Sequence, residues 1–221
     1  MPPRIGLCFC HGWGFDPHFW EPLLPSFSNY PILRWNLGYY GEKSLPLPDS
    51  SADRWIAIGH SVGFRKLIES PVDWSGAVCI QGFYDFLGSE PRMRKIRQRS
   101  LEKMISDWYQ NRNRVLQNFY ETCGLASANF PTPPPSWSVL EVDLQTLAIP
   151  SRMSFPPSSP HRVLESRNDR VVPPSLMESE WGLEKITWSE KGGHALGFFE
   201  SDFVAETIHS LIREVRENRH L

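Results

Sequence analysis

The chain contains a serine in the sequence context that enzymes use to make a serine nucleophilic. Ser61 is the centre of the pentapeptide Gly59-His60-Ser61-Val62-Gly63, which follows an apolar run at residues 55–58. A serine between two such glycines, placed where a strand ends and a helix begins, is typical of a nucleophile elbow. The turn is so tight that a Cβ at either glycine would strike a neighbouring element. The pattern predicts a serine hydroxyl standing free at the edge of a sheet, above a helix N-terminus that favours negative charge.

An acid and a base follow the serine in an order that completes such a site. Asp169 lies in a polar turn after the strand predicted at 161–166, and His194 lies in a glycine-rich loop after the strand predicted at 185–188. A histidine on a loop at the end of a strand is able to reach a serine at the same edge. The chain order serine, aspartate, histidine differs from the orders in chymotrypsin and subtilisin. We therefore predict Ser61, Asp169 and His194 as a catalytic triad.

Other residues compete for these roles. Asp85 follows the strand predicted at 76–80, and some enzymes with this arrangement carry their acid there. The position of Asp169 favours it, and Asp85 is interpreted as a loop or helix-cap residue. Among the histidines, His60 adjoins the serine but is predicted to point away from it across the strand. His11 is assigned to a glycine-rich turn.

The glycine-rich turn that contains His11 is predicted to supply part of the oxyanion hole. His11-Gly12-Trp13-Gly14 directly follows a buried strand predicted at residues 5–10. A glycine-rich turn at this point is where a backbone N–H is presented to a developing oxyanion. The second donor is expected to be the amide of the residue after the nucleophile. We assign the two oxyanion-hole donors to the amides of Trp13 and Val62.

Taken together and in this order, the motifs resemble those of the α/β-hydrolase superfamily. The segment H-G-W-G-F-D-P-H-F-W, residues 11–20, is similar to that of small carboxylesterases that cleave pimeloyl-acyl-carrier-protein methyl ester in biotin synthesis. The resemblance implies an α/β-hydrolase fold and a serine carboxylester hydrolase that forms an acyl-enzyme and needs neither cofactor nor metal. Two alternatives stay open. One is a C–C hydrolase or lyase of cofactor biosynthesis with the same triad, and the other is a catalytically silent hydrolase fold that serves as a binding protein.

The elements that must position these residues alternate along the chain. Strands are predicted near residues 5–10, 31–36, 55–60, 76–80, 161–166 and 185–188, and helices near 17–27, 62–70 and 200–217. Such alternation indicates a mostly parallel sheet with helices on both faces.

The alternation breaks in the middle of the chain. Two helices are predicted at 91–109 and 112–123, followed by a proline-rich run at 131–135. We interpret residues 83–140 as a helical cap, inserted after the strand that the superfamily counts as its sixth. Residues 1–82 and 141–221 then form the core. The apolar residues of the first cap helix are expected either to line a substrate pocket or to pack on the core; they are Met93, Ile96, Leu101, Met104, Ile105 and Trp108.

The cap is also strongly basic along its first helix and the start of its second. Between residues 90 and 114 there are eight basic residues and three acidic ones, in a chain whose net charge is −2. A stripe with helical spacing is formed by Arg92, Lys95, Arg99 and Lys103. Such a stripe is either a solvated helix face or a docking surface for an acidic partner. With the resemblance above, it indicates an acyl carrier protein that presents the ester.

Length and composition indicate which broad class of protein this chain belongs to. With 221 residues, 40% of them hydrophobic, the chain is long enough for one domain with a full sheet core. Neither a membrane span nor a signal peptide is recognised, and no nucleic-acid-binding motif accompanies the basic stripe. The four cysteines, Cys8, Cys10, Cys79 and Cys123, show no metal-ligand or disulfide spacing. They are interpreted as buried thiols of a cytoplasmic protein.

Overall fold

The computed structural model describes residues 2–125 and 134–218. Its sheet has six strands: β1 (Ile5–Cys10), β2 (Ile32–Trp35), β3 (Arg54–His60), β4 (Gly76–Ile80), β5 (His161–Ser166) and β6 (Ile186–Ser189). Their order is β2-β1-β3-β4-β5-β6, and every neighbouring pair is parallel. All six strands agree with the predicted positions to within about a residue or two, the usual uncertainty of element ends.

The sheet is covered on both faces. All residues of β1 and β4 are buried, which a strand achieves only when elements pack on either side of it. Long apolar runs such as Ile5–Cys10 and Gly76–Ile80 are typical of strands in this position. Burial of these runs therefore explains why apolar content alone was enough to predict the strands.

The strand order creates a crevice beside the serine. From β1 the chain moves to β2 on one side, whereas β3, β4, β5 and β6 follow one another on the other side. Connections between parallel strands are right-handed, so the connection from β1 to β2 crosses one face of the sheet and the connection from β3 to β4 crosses the other. The loops that leave β1 and β3 therefore diverge and leave a crevice between them. Those are the loops that carry Trp13 and Ser61. The topology therefore brings the predicted oxyanion turn and the predicted nucleophile to one edge.

Seven α-helices are present among the described residues: α1 (Val62–Ile68), α2 (Pro91–Gln110), α3 (Arg112–Thr122), α4 (Trp137–Thr146), α5 (Pro174–Trp181), α6 (Leu196–Phe199) and α7 (Ser201–Glu217). The predictions at 62–70 and 200–217 are confirmed. A single helix at 17–27 is wrong, because the segment forms two short 3₁₀ turns at Pro17–Trp20 and Leu24–Phe27. Pro22 and Pro25 lack the N–H donors that a continuous α-helix requires.

Three helices fill the long connection between β4 and β5. The two predicted helices correspond to α2 and α3, whereas α4 was not predicted. The strand that precedes this connection, β4, is the fourth of this chain. The proline-rich run falls partly outside the described residues, since positions 131–133 are not among them. The division of the chain into a core and a cap stays a prediction. None of the described helices is long and apolar enough to cross a membrane.

Candidate active site

The turn that carries Ser61 has the geometry of a nucleophile elbow. Ser61 lies between β3 and α1 with φ 55° and ψ −130°, in the left-handed region that residues with a Cβ rarely adopt. A Cβ on Gly59 would lie 2.2 Å from the Cα atom of Phe64, and one on Gly63 would lie 2.3 Å from the carbonyl oxygen of His11. The two glycines are therefore required by close backbone approach, as the motif predicts.

The structure brings the three predicted triad residues together. The Nε2 atom of His194 lies 3.1 Å from the Ser61 Oγ atom, and its Nδ1 atom lies 2.8 Å from Oδ2 of Asp169. The side chains of His194 and Asp169 are fully buried. Because the carboxylate accepts at Nδ1, the neutral ring carries its proton there and leaves Nε2 free to accept the serine proton.

Asp169 is held by the turn that follows it. Its Oδ1 atom accepts hydrogen bonds from the backbone N–H groups of Val171 and Val172, at 2.7 and 2.9 Å. The other oxygen is thereby directed at the histidine. The competing acid, Asp85, is engaged elsewhere: its carboxylate accepts from the Arg94 guanidinium at 2.6 Å and from the amide of Leu87 at 3.0 Å. Its role is that of a loop residue paired with α2.

The two residues predicted to supply the oxyanion donors share a cavity with the serine. Trp13, Ser61 and Val62 line one cavity of about 380 Å³, and within the described ranges neither amide has a hydrogen-bond acceptor. Val62 is the first residue of α1, where backbone N–H groups have no partner inside the helix. The side chain of Trp13 is fixed by its indole N–H, which donates to the carbonyl of Leu140 at 2.8 Å.

The turn after β1 is stabilised from within by a neutral histidine. Burial lowers the pKa of His11 to about 4. One ring nitrogen lies 3.0 Å from the carbonyl oxygen of Gly12, and the other accepts the amide of Leu37 at 3.2 Å. His11 therefore holds the backbone of the turn on which Trp13 lies.

His60 does not point away from the site, contrary to the sequence-based prediction. Its Nε2 atom donates to the carbonyl oxygen of His194 at 2.8 Å, and the two ring centroids are 4.8 Å apart. The ring also stacks on Phe19 at 4.4 Å. Burial and the neighbouring His194 lower its pKa well below the usual range, so His60 is a neutral support beneath the histidine loop. The prediction failed because the loop of His194 folds back over β3, which sequence spacing does not reveal.

Two further residues at this edge were missed. Gln81 follows β4, is fully buried, and donates from its amide to Oδ2 of Asp169 at 2.7 Å. Glu165 is the fifth residue of β5 and is fully buried as well. Burial, and then the negative charge of Asp169, raise the pKa of Glu165 well above its usual range. A carboxyl inside a predicted buried strand was a visible signal, since such groups rarely lie inside without a function or a partner.

The cavity over Ser61 is mostly apolar. Of the six apolar α2 residues predicted to line a pocket or pack on the core, Leu101 and Met104 line it. Trp108 is buried in the core, whereas Ile96 is 46% exposed. The remaining apolar walls come from several elements and include Phe83, Phe86, Val115, Phe119, Leu144 and Leu147. Such a cavity suits an apolar acyl or alcohol group of modest size.

The four basic residues predicted as a partner site, Arg92, Lys95, Arg99 and Lys103, form what we call the basic face of α2. All four are exposed. Lys103 pairs with Asp107 at 2.7 Å and reaches the rim of the cavity. The other three make no ion pair with any described residue. Within the described part of the chain no group of three or more His, Cys, Asp or Glu residues could hold a metal ion.

Comparison with known proteins identifies the fold. Neither a protein-family model nor a curated protein matches the chain. Solved structures do: a lipase-esterase related protein from Clostridium acetobutylicum (15% identity, TM-score 0.68, 94% of both chains covered), MenH from S. aureus (13%, 0.67, 97% of this chain and 95% of that one) and an esterase from Exiguobacterium antarcticum (13%, 0.69, 96% and 93%). The chain has the α/β-hydrolase fold, as predicted. At these identities the matches show the fold alone.

Proposed function

We propose that the protein is a serine hydrolase that cleaves carboxylic esters through Ser61, His194 and Asp169. The observation that carries the proposal is the continuous chain of hydrogen-bond distances from Ser61 Oγ through the imidazole to Asp169, at 3.1 and 2.8 Å. A nucleophile within reach of a base, and a base oriented by a buried acid, is the arrangement that activates a serine hydroxyl. Esterases among the solved structures of this fold agree with the proposal.

In the first half of the reaction an acyl-enzyme forms. His194 takes the proton of Ser61 at Nε2 while Oγ attacks the ester carbonyl, and Asp169 stabilises the resulting imidazolium. The oxygen of the tetrahedral intermediate becomes negative and accepts hydrogen bonds from the amides of Trp13 and Val62. The carbon–oxygen bond to the alcohol then breaks, and the alcohol leaves with the proton held by His194.

In the second half of the reaction, water hydrolyses the acyl-enzyme, and His194 again acts first as base and then as acid. His194 removes a proton from water as the hydroxide attacks the acyl carbon, and the same two amides bind the second oxyanion. When the intermediate collapses, Ser61 regains its proton from His194 and the acid is released. Each step uses groups of this chain and water, so the proposal requires no cofactor.

The ester is proposed to be delivered by an acidic carrier, as in the demethylation of a carrier-bound acyl methyl ester such as the pimeloyl one. Support comes from the basic face of α2, where Arg92, Lys95 and Arg99 are exposed without an acidic partner among the described residues. Like charges at this spacing repel one another along a helix, and an acidic surface relieves that repulsion. The face adjoins the cavity at Lys103, so docking there brings a tethered acyl group to the cavity rim.

Replacing Ser61 with alanine tests the hydrolase assignment. Alanine meets the same backbone demand at the elbow but has no nucleophile, so the fold is kept and the reaction is lost. Hydrolysis of a p-nitrophenyl acyl ester by Ser61→Ala should fall by roughly 10⁴ to 10⁶ relative to the wild type. A variant that keeps a tenth of the wild-type kcat contradicts the assignment. Wild-type protein inactive on every ester of a panel, yet active on a C–C substrate, favours the alternative reaction of the same triad.

A further inference from the structure

Gln81 adopts a backbone conformation that costs free energy. Its φ is 51°, and Ser61 is the only other non-glycine residue in the described ranges with a positive φ. Left-handed backbone at such a residue persists only where surrounding contacts impose it, and it occurs often at functional sites. Its N–H donates to the carbonyl of Leu164 at 2.8 Å, which holds this turn of the chain against β5.

The conformation places the Gln81 side chain between the acid and the loop of the histidine. The amide nitrogen lies 2.7 Å from Oδ2 of Asp169 and 2.6 Å from the carbonyl oxygen of Gly193. The amide oxygen accepts the backbone N–H of Leu196 at 2.9 Å. Because Leu196 offers only a donor, the oxygen must face it and the nitrogen must face the carboxylate. Gly193 and Leu196 lie on either side of His194, so one side chain ties the acid to both flanks of the base.

Glu165 supports the same arrangement from below. Its Oε1 atom lies 3.3 Å from the Gln81 amide nitrogen and accepts the N–H of Ser166 at 2.7 Å. Burial, and then the negative charge of Asp169, raise the pKa of Glu165 well above its usual range, which favours its neutral form. Two carboxylates at such a site do not both ionise, because like charges repel strongly in a buried environment. The neutral form of Glu165 contacts the Gln81 amide without placing a second negative charge beside Asp169.

We propose that Gln81 is a positioning residue of the triad, whose side-chain amide holds the Asp169 carboxylate and the His194 loop in register. The inference rests on the proposed function and names a residue that neither touches the cavity nor reacts. Gln81 is absent from the lining of the cavity over Ser61. Its loss should disturb the orientation of the imidazole while leaving the substrate contacts in place, and so it should act on kcat and not on KM.

Gln81→Met tests this with a side chain of similar length that makes none of the amide hydrogen bonds. Leu211→Ala is the control, since it removes a buried core side chain on α7 and destabilises the fold away from the triad. At a temperature well below both melting points, kcat of Gln81→Met on a p-nitrophenyl ester should be about 10- to 100-fold below that of the control, with KM within about threefold. Equal kcat values for the two variants overturn the proposal while the hydrolase assignment stands.

A spectroscopic readout makes the test independent of turnover. A histidine Nδ1 proton shared with a buried carboxylate gives a resolved, far-downfield proton resonance when exchange with water is slow. The wild type should show this signal for His194, and Gln81→Met should lose or broaden it, whereas Leu211→Ala should keep it. If Gln81→Met does not fold, Gln81→Asn replaces it, because asparagine tolerates positive φ and its shorter amide cannot span the same contacts. An unchanged resonance in a folded variant refutes the positioning role even where no ester is hydrolysed.

Discussion

The triad and the basic face of α2 differ in how firmly the chain itself fixes their side chains. The side chains of His194 and Asp169 are fully buried and hydrogen-bonded to each other, and Asp169 also accepts backbone N–H groups of the turn that follows it. Lys103 on the basic face is 74% exposed, and Arg92, Lys95 and Arg99 have no acidic partner in the described residues. The side chains of the first region are paired within the chain, whereas three of the four cations of the second make no ion pair with a described residue. We therefore expect the rate of the chemical step to depend on the triad, and the binding of an acidic substrate carrier to depend on the basic face.

The largest effect among the following variants should come from the acid. Asp169→Asn keeps the shape but presents an amide to His194 Nδ1, which favours the wrong tautomer. We expect kcat for a p-nitrophenyl ester to fall by on the order of 10³ to 10⁴. Asp85→Asn is the matched control, and it should change kcat by less than about tenfold because Asp85 pairs with Arg94 outside the triad. The reverse order of effects assigns the acid to Asp85.

A smaller and selective effect should come from the basic face. Reversing three charges, Arg92, Lys95 and Arg99 to Glu, should raise KM for a carrier-bound ester by about tenfold or more at low salt, because steering of an acidic partner is lost. The difference from wild type should shrink as salt is added. Kinetics with a short p-nitrophenyl ester should be unchanged, since its encounter does not depend on these charges.

The matched control reverses three charges elsewhere: Lys185, Arg213 and Arg216 to Glu, all exposed. This variant has the same net charge and should keep the wild-type KM for the carrier-bound ester. If both triple variants lose affinity equally, net charge alone is responsible. If neither does, the basic face is a solvated helix surface, and delivery by a carrier is refuted.

The buried acid beneath the triad should govern stability as pH rises. An unfolded Glu165 ionises above about pH 4.5, whereas the raised pKa lets the folded state hold its proton to higher pH, so in that window the native state binds more protons and wild-type stability falls with pH. Glu165→Gln does not titrate. Its free energy of unfolding, relative to wild type, should therefore rise from about pH 5 upward by at most about 1.4 kcal/mol per pH unit. Urea denaturation at several pH values measures this, and a difference independent of pH contradicts a neutral Glu165.

Glu180 is a second buried acid, and its effect on stability is expected over a limited pH range. It accepts the backbone N–H groups of Tyr84 and Asp85 at 2.7 and 2.9 Å, and burial raises its pKa to about 7. By the same sign argument, the advantage of Glu180→Gln over wild type should grow between about pH 4.5 and pH 7 and then level off. A continued rise well above pH 7 contradicts a pKa of about 7 for Glu180.

The sequence was most informative where local pattern and structure coincide. The strands were predictable because a parallel sheet buries continuous apolar runs such as Gly76–Ile80, and the elbow because its glycines answer a local steric demand. The 3₁₀ turns at residues 17–27 were missed although Pro22 and Pro25 were visible. The supports of the triad were missed for another reason. The hydrogen bonds that join Gln81 to Glu165 and His60 to His194 span 84 and 134 positions of the chain, and no local period encodes such distances.

Covalent trapping of the nucleophile tests the central claim most directly. A fluorophosphonate reacts only with a serine whose hydroxyl is activated and whose oxyanion site accepts the phosphonyl oxygen. Intact-protein mass spectrometry of the wild type should show the addition of one phosphonyl group, and peptide mapping should place it on Ser61, with no addition to folded Ser61→Ala. A wild-type protein that stays unlabelled, or a label that maps to another residue, contradicts the account.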